Sequence, residues 1–307
     1  MKFEVIIDDW FSSVNQDMSL TPIENKKVLS VINDFENGEW RYTKFQNFIW
    51  DNIKETALSY KERLALISEG EDSVLTEAAK KLRLLDEDKE DTGKGSEIAE
   101  IILYGIMRKY YKALPIVPKI FYKQNRQDYA KGSDSIHIII EGEKQFSLWL
   151  GEAKFYDNIE NARLNVIIQS VKNSLALDKL KKENSIITNI SDINYFTEIS
   201  DELKEYICNV LSQDVSIDLI KPILNIPILL LYECEITKSC TQMSDEYKTK
   251  LIDYHKERAT EYFKRQIAKC SDIHMYSEIK FHIILFPVAS KERIVNKFVT
   301  KAHVYRS

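Results

Sequence analysis

The sequence predicts an α/β fold in which a mixed central sheet is flanked by helices. Three observations carry that prediction. Strand-like runs recur along the second half of the chain, each separated from the next by a helical pattern, which is the order expected of layered α/β proteins. The stretch from Ser135 to Lys154 alternates and reverses once at Gly142-Glu143-Lys144, as a β-hairpin does. Only 8 Gly and 6 Pro occur in 307 residues, so long regular elements should dominate over elaborate loops.

In order, Phe3 to Ile7 reads as a short strand ending in an Asp8-Asp9 turn. From Tyr42 to Ser68 the apolar residues Phe45, Phe48, Ile49, Ile53, Ala57, Tyr60, Leu64 and Ile67 recur at helical steps, predicting one helix, with a second over Asp72–Leu85. The run Asp86 to Gly95 is charged and carries nothing to bury, which marks a linker. Residues 1–90 are therefore expected to form a mostly helical N-terminal extension, and residues 95–307 the core. Ser96 stands where a helix cap would, opening a buried helix that ends before Pro115 and Pro118. Ile116–Tyr122, Ser135–Glu141, Gln145–Lys154, Ile226–Glu235 and Lys280–Val288 are expected strands. A helix from about Asn158 to Lys182, with Ala162, Val166, Ile167, Ser170, Val171, Ser174 and Leu175 inward, follows the hairpin; a charged helix spans Ser244–Lys269.

Composition excludes several functions. There is no glycine-rich phosphate cradle, which argues against ATP chemistry. Cys208, Cys234, Cys240 and Cys270 include no CxxC pair, so zinc is not expected. The N-terminus turns acidic within a few residues and the longest apolar run, Ile223–Tyr232, is too short to cross a bilayer, so a cytoplasmic protein without membrane contact is expected. The formal net charge of −5 disfavours strong autonomous binding to nucleic acid, whose affinity comes from cations on phosphates.

One constellation carries chemistry. Glu152 and Lys154 project from the same face at the end of a strand, with Ala153 on the other face. Asp134 begins the partner strand, and a hairpin of this length folds it back beside Glu152. Two carboxylates and an ammonium suit phosphodiester hydrolysis: the acids hold Mg²⁺ (or Mn²⁺), and the lysine stabilises developing negative charge. The Glu-x-Lys pattern alone carries little, since it recurs at Glu24, Glu87, Glu202, Glu246 and Glu278. The paired Asp134 and the strand context distinguish it from a solvated cross-strand ion pair.

Around this core stand further candidates. Glu97 and Glu100 share one helix face, either as additional acids or as ordinary complements to the helix dipole. Gln169 interrupts an apolar helical run, either reaching the site or hydrogen-bonded in the core. His137, alternating with Ile136 and Ile138, reads as packing. Lys119, Lys123, Arg126 and Lys131, interleaved with Phe121, Tyr122 and Tyr129, form either a DNA-guiding stretch or a solvated loop.

Gly95-Ser96-Glu97, Gly132-Ser133-Asp134 and Gly151-Glu152-Ala153-Lys154-Phe155-Tyr156 together resemble the HamA family, nuclease subunits of the bacterial Hachiman antiphage system, over roughly Ser96 to the C-terminus. The resemblance implies a restriction-endonuclease-like PD-(D/E)xK core. It also implies a DNA-cutting effector restrained by HamB, a superfamily 2 helicase with which it would pair. By position it makes Glu97, Asp134 and Glu152 the acids and Lys154 the catalytic lysine. Two other readings stand beside it. One is a non-catalytic module that keeps the fold as an interaction surface; the other is a self-sufficient restriction or junction-resolving endonuclease, which would need a continuous basic surface.

Overall fold

The computed structural model describes residues 2–17, 19–82, 96–120, 132–190, 192–197, 199–212 and 214–307. Nine strands occur among them: β1 Glu4–Trp10, β2 Lys26–Ile32, β3 Phe35–Glu36, β4 Glu39–Trp40, β5 Leu114–Val117, β6 Ser135–Gly142, β7 Gln145–Tyr156, β8 Leu224–Glu233 and β9 Lys280–Val288. The helices of eight or more residues are α1 Tyr42–Ala57, α2 Tyr60–Ile67, α3 Glu71–Lys80, α4 Ser96–Lys109, α5 Asn161–Ser174, α6 Leu177–Ile190, α7 Asp201–Val210, α8 Asp245–Cys270 and α9 Lys291–Arg306.

Seven strands form one sheet in the order β1-β2-β9-β8-β7-β6-β5. The β7, β8, β9 and β2 neighbours run parallel, while β5, β6 and β7 form an antiparallel meander and β1 pairs antiparallel with β2. This is the mixed α/β sheet that the element order predicts. Strands buried on both faces should be apolar throughout rather than alternating. β8, whose Leu224 to Tyr232 are all buried, obeys this with the one exception of Asn225. Its side chains divide between two cores: Ile228, Leu230 and Tyr232 pack with α5 to α8 on one face, and Leu229 and Leu231 with α1, α3, α4 and α9 on the other.

The N-terminal region is not a helical appendage. β1 and β2 extend the central sheet beyond β9, and α1 packs against α4, so residues on both sides of the expected boundary share one sheet and one core. Lys26-Lys27-Val28-Leu29-Ser30-Val31-Ile32 is a β-branched run that the sequence reading passed over. The expected Asp8-Asp9 turn is instead strand, with Asp8 opposite Leu29 and Asp9 opposite Val28. As β1 is an edge strand, its outward carboxylates remain in water, and charge on an edge discourages further pairing.

Two expected helices are each broken in two. Ser59 accepts from the Glu62 amide while the Glu62 side chain accepts from the Ser59 amide, a capping box that ends α1 and starts α2. After Ser174 the chain leaves the helix and restarts at Leu177. The expected strand Ile116–Tyr122 is shorter: β5 stops at Val117, and Lys119 and Ile120 are helical. A bulge beside Pro115 suits its place on the edge of the sheet, where a missing N–H is tolerated. The expected linker at 86–95 lies outside the described residues.

Candidate active site

The β6–β7 register places Ser135 opposite Gly151, which sets Asp134 beside Glu152. Two further hydrogen bonds complete the junction. The Asp134 amide donates to the Gly151 carbonyl at 2.7 Å, and the Ala153 amide donates to Asp134 Oδ2 at 2.9 Å. Asp134 is thus held by its backbone and its carboxylate to the strand that carries Glu152 and Lys154.

Gly151 makes this approach possible. A Cβ there would stand 2.3 Å from Ser135 Oγ and 2.7 Å from Leu103 Cδ2. Gly151→Ala is therefore expected to destabilise the fold by about 1–3 kcal/mol, the usual cost of overpacking, read as a lower urea midpoint at unchanged slope. An unshifted midpoint would show that β6 and α4 yield freely.

Lys154 Nζ lies 3.5 Å from Asp134 Oδ2 and 3.8 Å from Glu152 Oε2. The Glu152 side chain is 6% exposed, Asp134 12% and Lys154 29%, so the acids sit below the surface and the ammonium lies nearest solvent. Burial works against the ammonium, but the carboxylates of Asp134 and then Glu152 outweigh it and hold the Lys154 pKa above the ordinary lysine value. Lys154 is therefore charged at neutral pH. In this charged form it can orient a nucleophile or donate to an anion.

The helices contribute in ways only partly expected. Ser170 of α5 donates to Glu152 Oε2 at 3.0 Å, fixing the carboxylate rotamer. Gln169, the expected candidate, neither enters the site nor the core: its amide donates to Asn173 Oδ1 at 2.7 Å on an exposed surface. The inward face of α5 is Leu164, Ile167, Ile168 and Val171, and Ser170, expected inward, borders the site; Ala162 and Val166, also expected inward, face solvent instead. Glu97 and Glu100 are both buried at the start of α4, and Ser96 Oγ donates to Glu100 Oε1 at 3.3 Å. The charge of Glu100 also raises the Lys154 pKa, which places this acid within electrostatic reach of the site.

The expected DNA-guiding stretch loses its first member. Lys119 is buried and pairs with Glu183 Oε2 at 2.9 Å, so it is not available to phosphates. Lys123, Arg126 and Lys131, with Phe121, Tyr122 and Tyr129, lie outside the described residues. His137 is fully buried against the Tyr104 ring at 5.1 Å, as packing requires.

Among the described residues, no group of three or more His, Cys, Asp or Glu side chains stands in a metal-holding arrangement. The fold assembles two carboxylates and one ammonium, leaving a formal charge of −1 before Glu100 is counted. Hard oxygen donors of this kind fit Mg²⁺, which binds through one or two carboxylates and keeps its remaining positions for water and phosphate.

The mixed seven-stranded sheet, flanked on both faces by helices and bearing a carboxylate–lysine cluster where the start of β6 meets β7, defines an α/β protein compatible with a nuclease-like core. The HamA family pattern matches residues 4–302, so the chain belongs to the HamA family and is an antiphage defence protein of the Hachiman type. The match begins in β1, so the family includes the N-terminal strands. No curated protein matches the chain. Among the described residues no helix is long and apolar enough to cross a membrane.

Proposed function

We propose that this protein is a divalent-metal-dependent DNA nuclease, the effector of its defence system, and that a HamB-type superfamily 2 helicase controls its access to DNA. The observation that carries this reading is Lys154 Nζ within 3.5 and 3.8 Å of the Asp134 and Glu152 carboxylates, where the start of β6 meets β7. A structural ion pair needs one acid. A second buried acid beside the first costs free energy through like-charge repulsion, and is best explained by a cation that the pair is built to receive.

Asp134 and Glu152 would hold Mg²⁺ or Mn²⁺, with Glu100 and Glu97 supplying further negative field from α4. A bound divalent ion supplies positive charge against the scissile phosphate and acidifies water there. The Ala153 amide orients Asp134, and the Ser170 hydroxyl orients Glu152. Lys154, kept charged by these acids, donates to the phosphoryl oxygens as negative charge builds on them, while water adds to phosphorus and the P–O bond to the sugar breaks.

The net charge of −5 fits an enzyme that does not grip DNA unaided, since a partner that delivers the substrate removes the need for a basic surface. The test is Mg²⁺-dependent cleavage of plasmid DNA by the intact chain, with and without the helicase, beside Glu152→Ala. Cleavage by the native chain that the substitution abolishes is expected. Equal cleavage by both would refute the site, and tight duplex binding by the isolated chain at physiological salt would refute the gating.

A further inference from the structure

We propose that Glu183, with Lys119 as its counter-ion, is the positioning residue for Asp134; its catalytic consequence rests on the nuclease reading above, its geometry does not. Glu183 lies on α6 and is buried, with its side chain 2% exposed. One carboxylate oxygen, Oε2, takes the Lys119 ammonium at 2.9 Å. The other, Oε1, accepts the backbone N–H of Ser133, the residue immediately before Asp134.

Ser133 is itself buried, so its amide would carry a desolvation cost without this acceptor. The preceding Gly132 is explained by the same contact: a Cβ there would fall 1.7 Å from Glu183 Oε1. The Gly132-Ser133-Asp134 segment is consequently gripped twice. α6 holds it through Glu183, and β7 holds it through the Gly151 carbonyl and the Ala153 amide.

A buried ion pair contributes little net stability compared with apolar side chains of the same volume, so stability alone does not account for Lys119 and Glu183. What an apolar pair could not do is accept the Ser133 amide. The consecutive helices α5 and α6 then play matched parts: Ser170 anchors Glu152, and Glu183 anchors the turn that presents Asp134. Lys119 holds the other oxygen of the Glu183 carboxylate and so keeps it in place.

Two double variants separate positioning from mere packing. Lys119→Met with Glu183→Gln and Lys119→Met with Glu183→Leu both remove the ion pair, but only the glutamine keeps an oxygen for Ser133. Amide hydrogen exchange at Ala153, whose N–H is bonded to Asp134 Oδ2, reports the Asp134 position directly. We expect exchange about tenfold faster in the leucine variant than in the glutamine variant, the loss of roughly one hydrogen bond. We expect a similar rise in the Mn²⁺ concentration that half-saturates cleavage. Equal Ala153 protection in the two variants would overturn the proposal. If the native chain cleaves no DNA, the nuclease reading fails and the exchange comparison still decides this one. Should the double variants not fold, Glu183→Asp keeps the charge and withdraws the acceptor by one methylene. It is expected to speed Ala153 exchange in the same way, and unchanged exchange there would also overturn the proposal.

Discussion

Replacing Lys154 with Met is expected to slow DNA cleavage by about 10²–10³-fold, the usual loss when a preorganised donor to a developing oxyanion is removed. Binding should move the other way. With the ammonium gone, Asp134 and Glu152 lose a neighbouring positive charge, so a divalent ion has more negative charge to neutralise and one cation fewer to compete with. The melting temperature of Lys154→Met should therefore rise more on adding Mg²⁺ than that of the native chain, by mass action on the folded state. Because two buried acids remain with less positive charge beside them, the substitution should also lower the stability of the metal-free chain, a loss that added Mg²⁺ offsets. Slower cleavage with retained or improved metal response separates a lysine that acts on the transition state from one that holds the strand end together. Cleavage at the native rate would remove Lys154 from the mechanism.

The second large effect is on stability in acid. His137, His255 and His282 are buried, and burial pushes each of their pKa values down to about 3. They are held neutral by their surroundings: His255 lies between the Ser30 and Tyr232 hydroxyls, and His282 Nε2 meets Asn225 Oδ1 at 2.9 Å. In the unfolded chain they titrate near 6.5, so between about pH 6.5 and 3 the unfolded state binds more protons. Their stabilising contribution is fully present above pH 6.5 and is lost as pH falls. Near pH 5 three such groups give a slope of up to about 4 kcal/mol per pH unit, enough to unfold a domain of ordinary stability within a few units. Lys26 acts in the same direction at higher pH. It is fully buried among aromatic rings, its ammonium 4.8 Å from the Tyr276 ring centre, and burial lowers its pKa to about 7. Stability should therefore climb again from about pH 7 toward 10.5, until the tyrosines reverse it: Tyr110 and Tyr254, raised by burial to about 12, lose their contribution as they ionise above pH 10. Urea unfolding from pH 4 to 10 measures this. A flat profile below pH 6.5 would mean that the histidines charge without opening the core.

The candidate site was legible in the sequence because its parts are local. Asp134 and Lys154 are joined by one hairpin, and alternation along its strands decides which side chains share a face, so the residues could be paired without knowing the rest of the fold. β8 and β9 were legible as mostly apolar runs for a related reason: strands covered on both faces carry few polar residues, and the two that lie inside, Asn225 and His282, hydrogen-bond each other. The supports of the site were only partly legible. The helical pattern put Ser170 on the inward face of α5, but nothing local in the sequence ties its hydroxyl to the Glu152 carboxylate rather than to packing. The pairing of Lys119 with Glu183 spans 64 residues and leaves no local pattern; beside Phe121 and Tyr122, Lys119 reads as a surface cation until α6 is seen to cover it. β1 was legible but ended too early, because Asp8-Asp9 looks like a turn, whereas the edge of a sheet accepts carboxylates that a central strand would exclude; β2 was passed over.

The central claim is that Asp134 and Glu152 form a divalent cation site with Lys154 beside it. Crystals of the intact chain soaked in Mn²⁺ test it most directly, through the anomalous scattering of the ion. The expected result is a peak between the Asp134 and Glu152 carboxylates that disappears in Glu152→Ala. A native crystal saturated with Mn²⁺ that shows no peak there, with Lys154 Nζ still bridging the two acids, would contradict it.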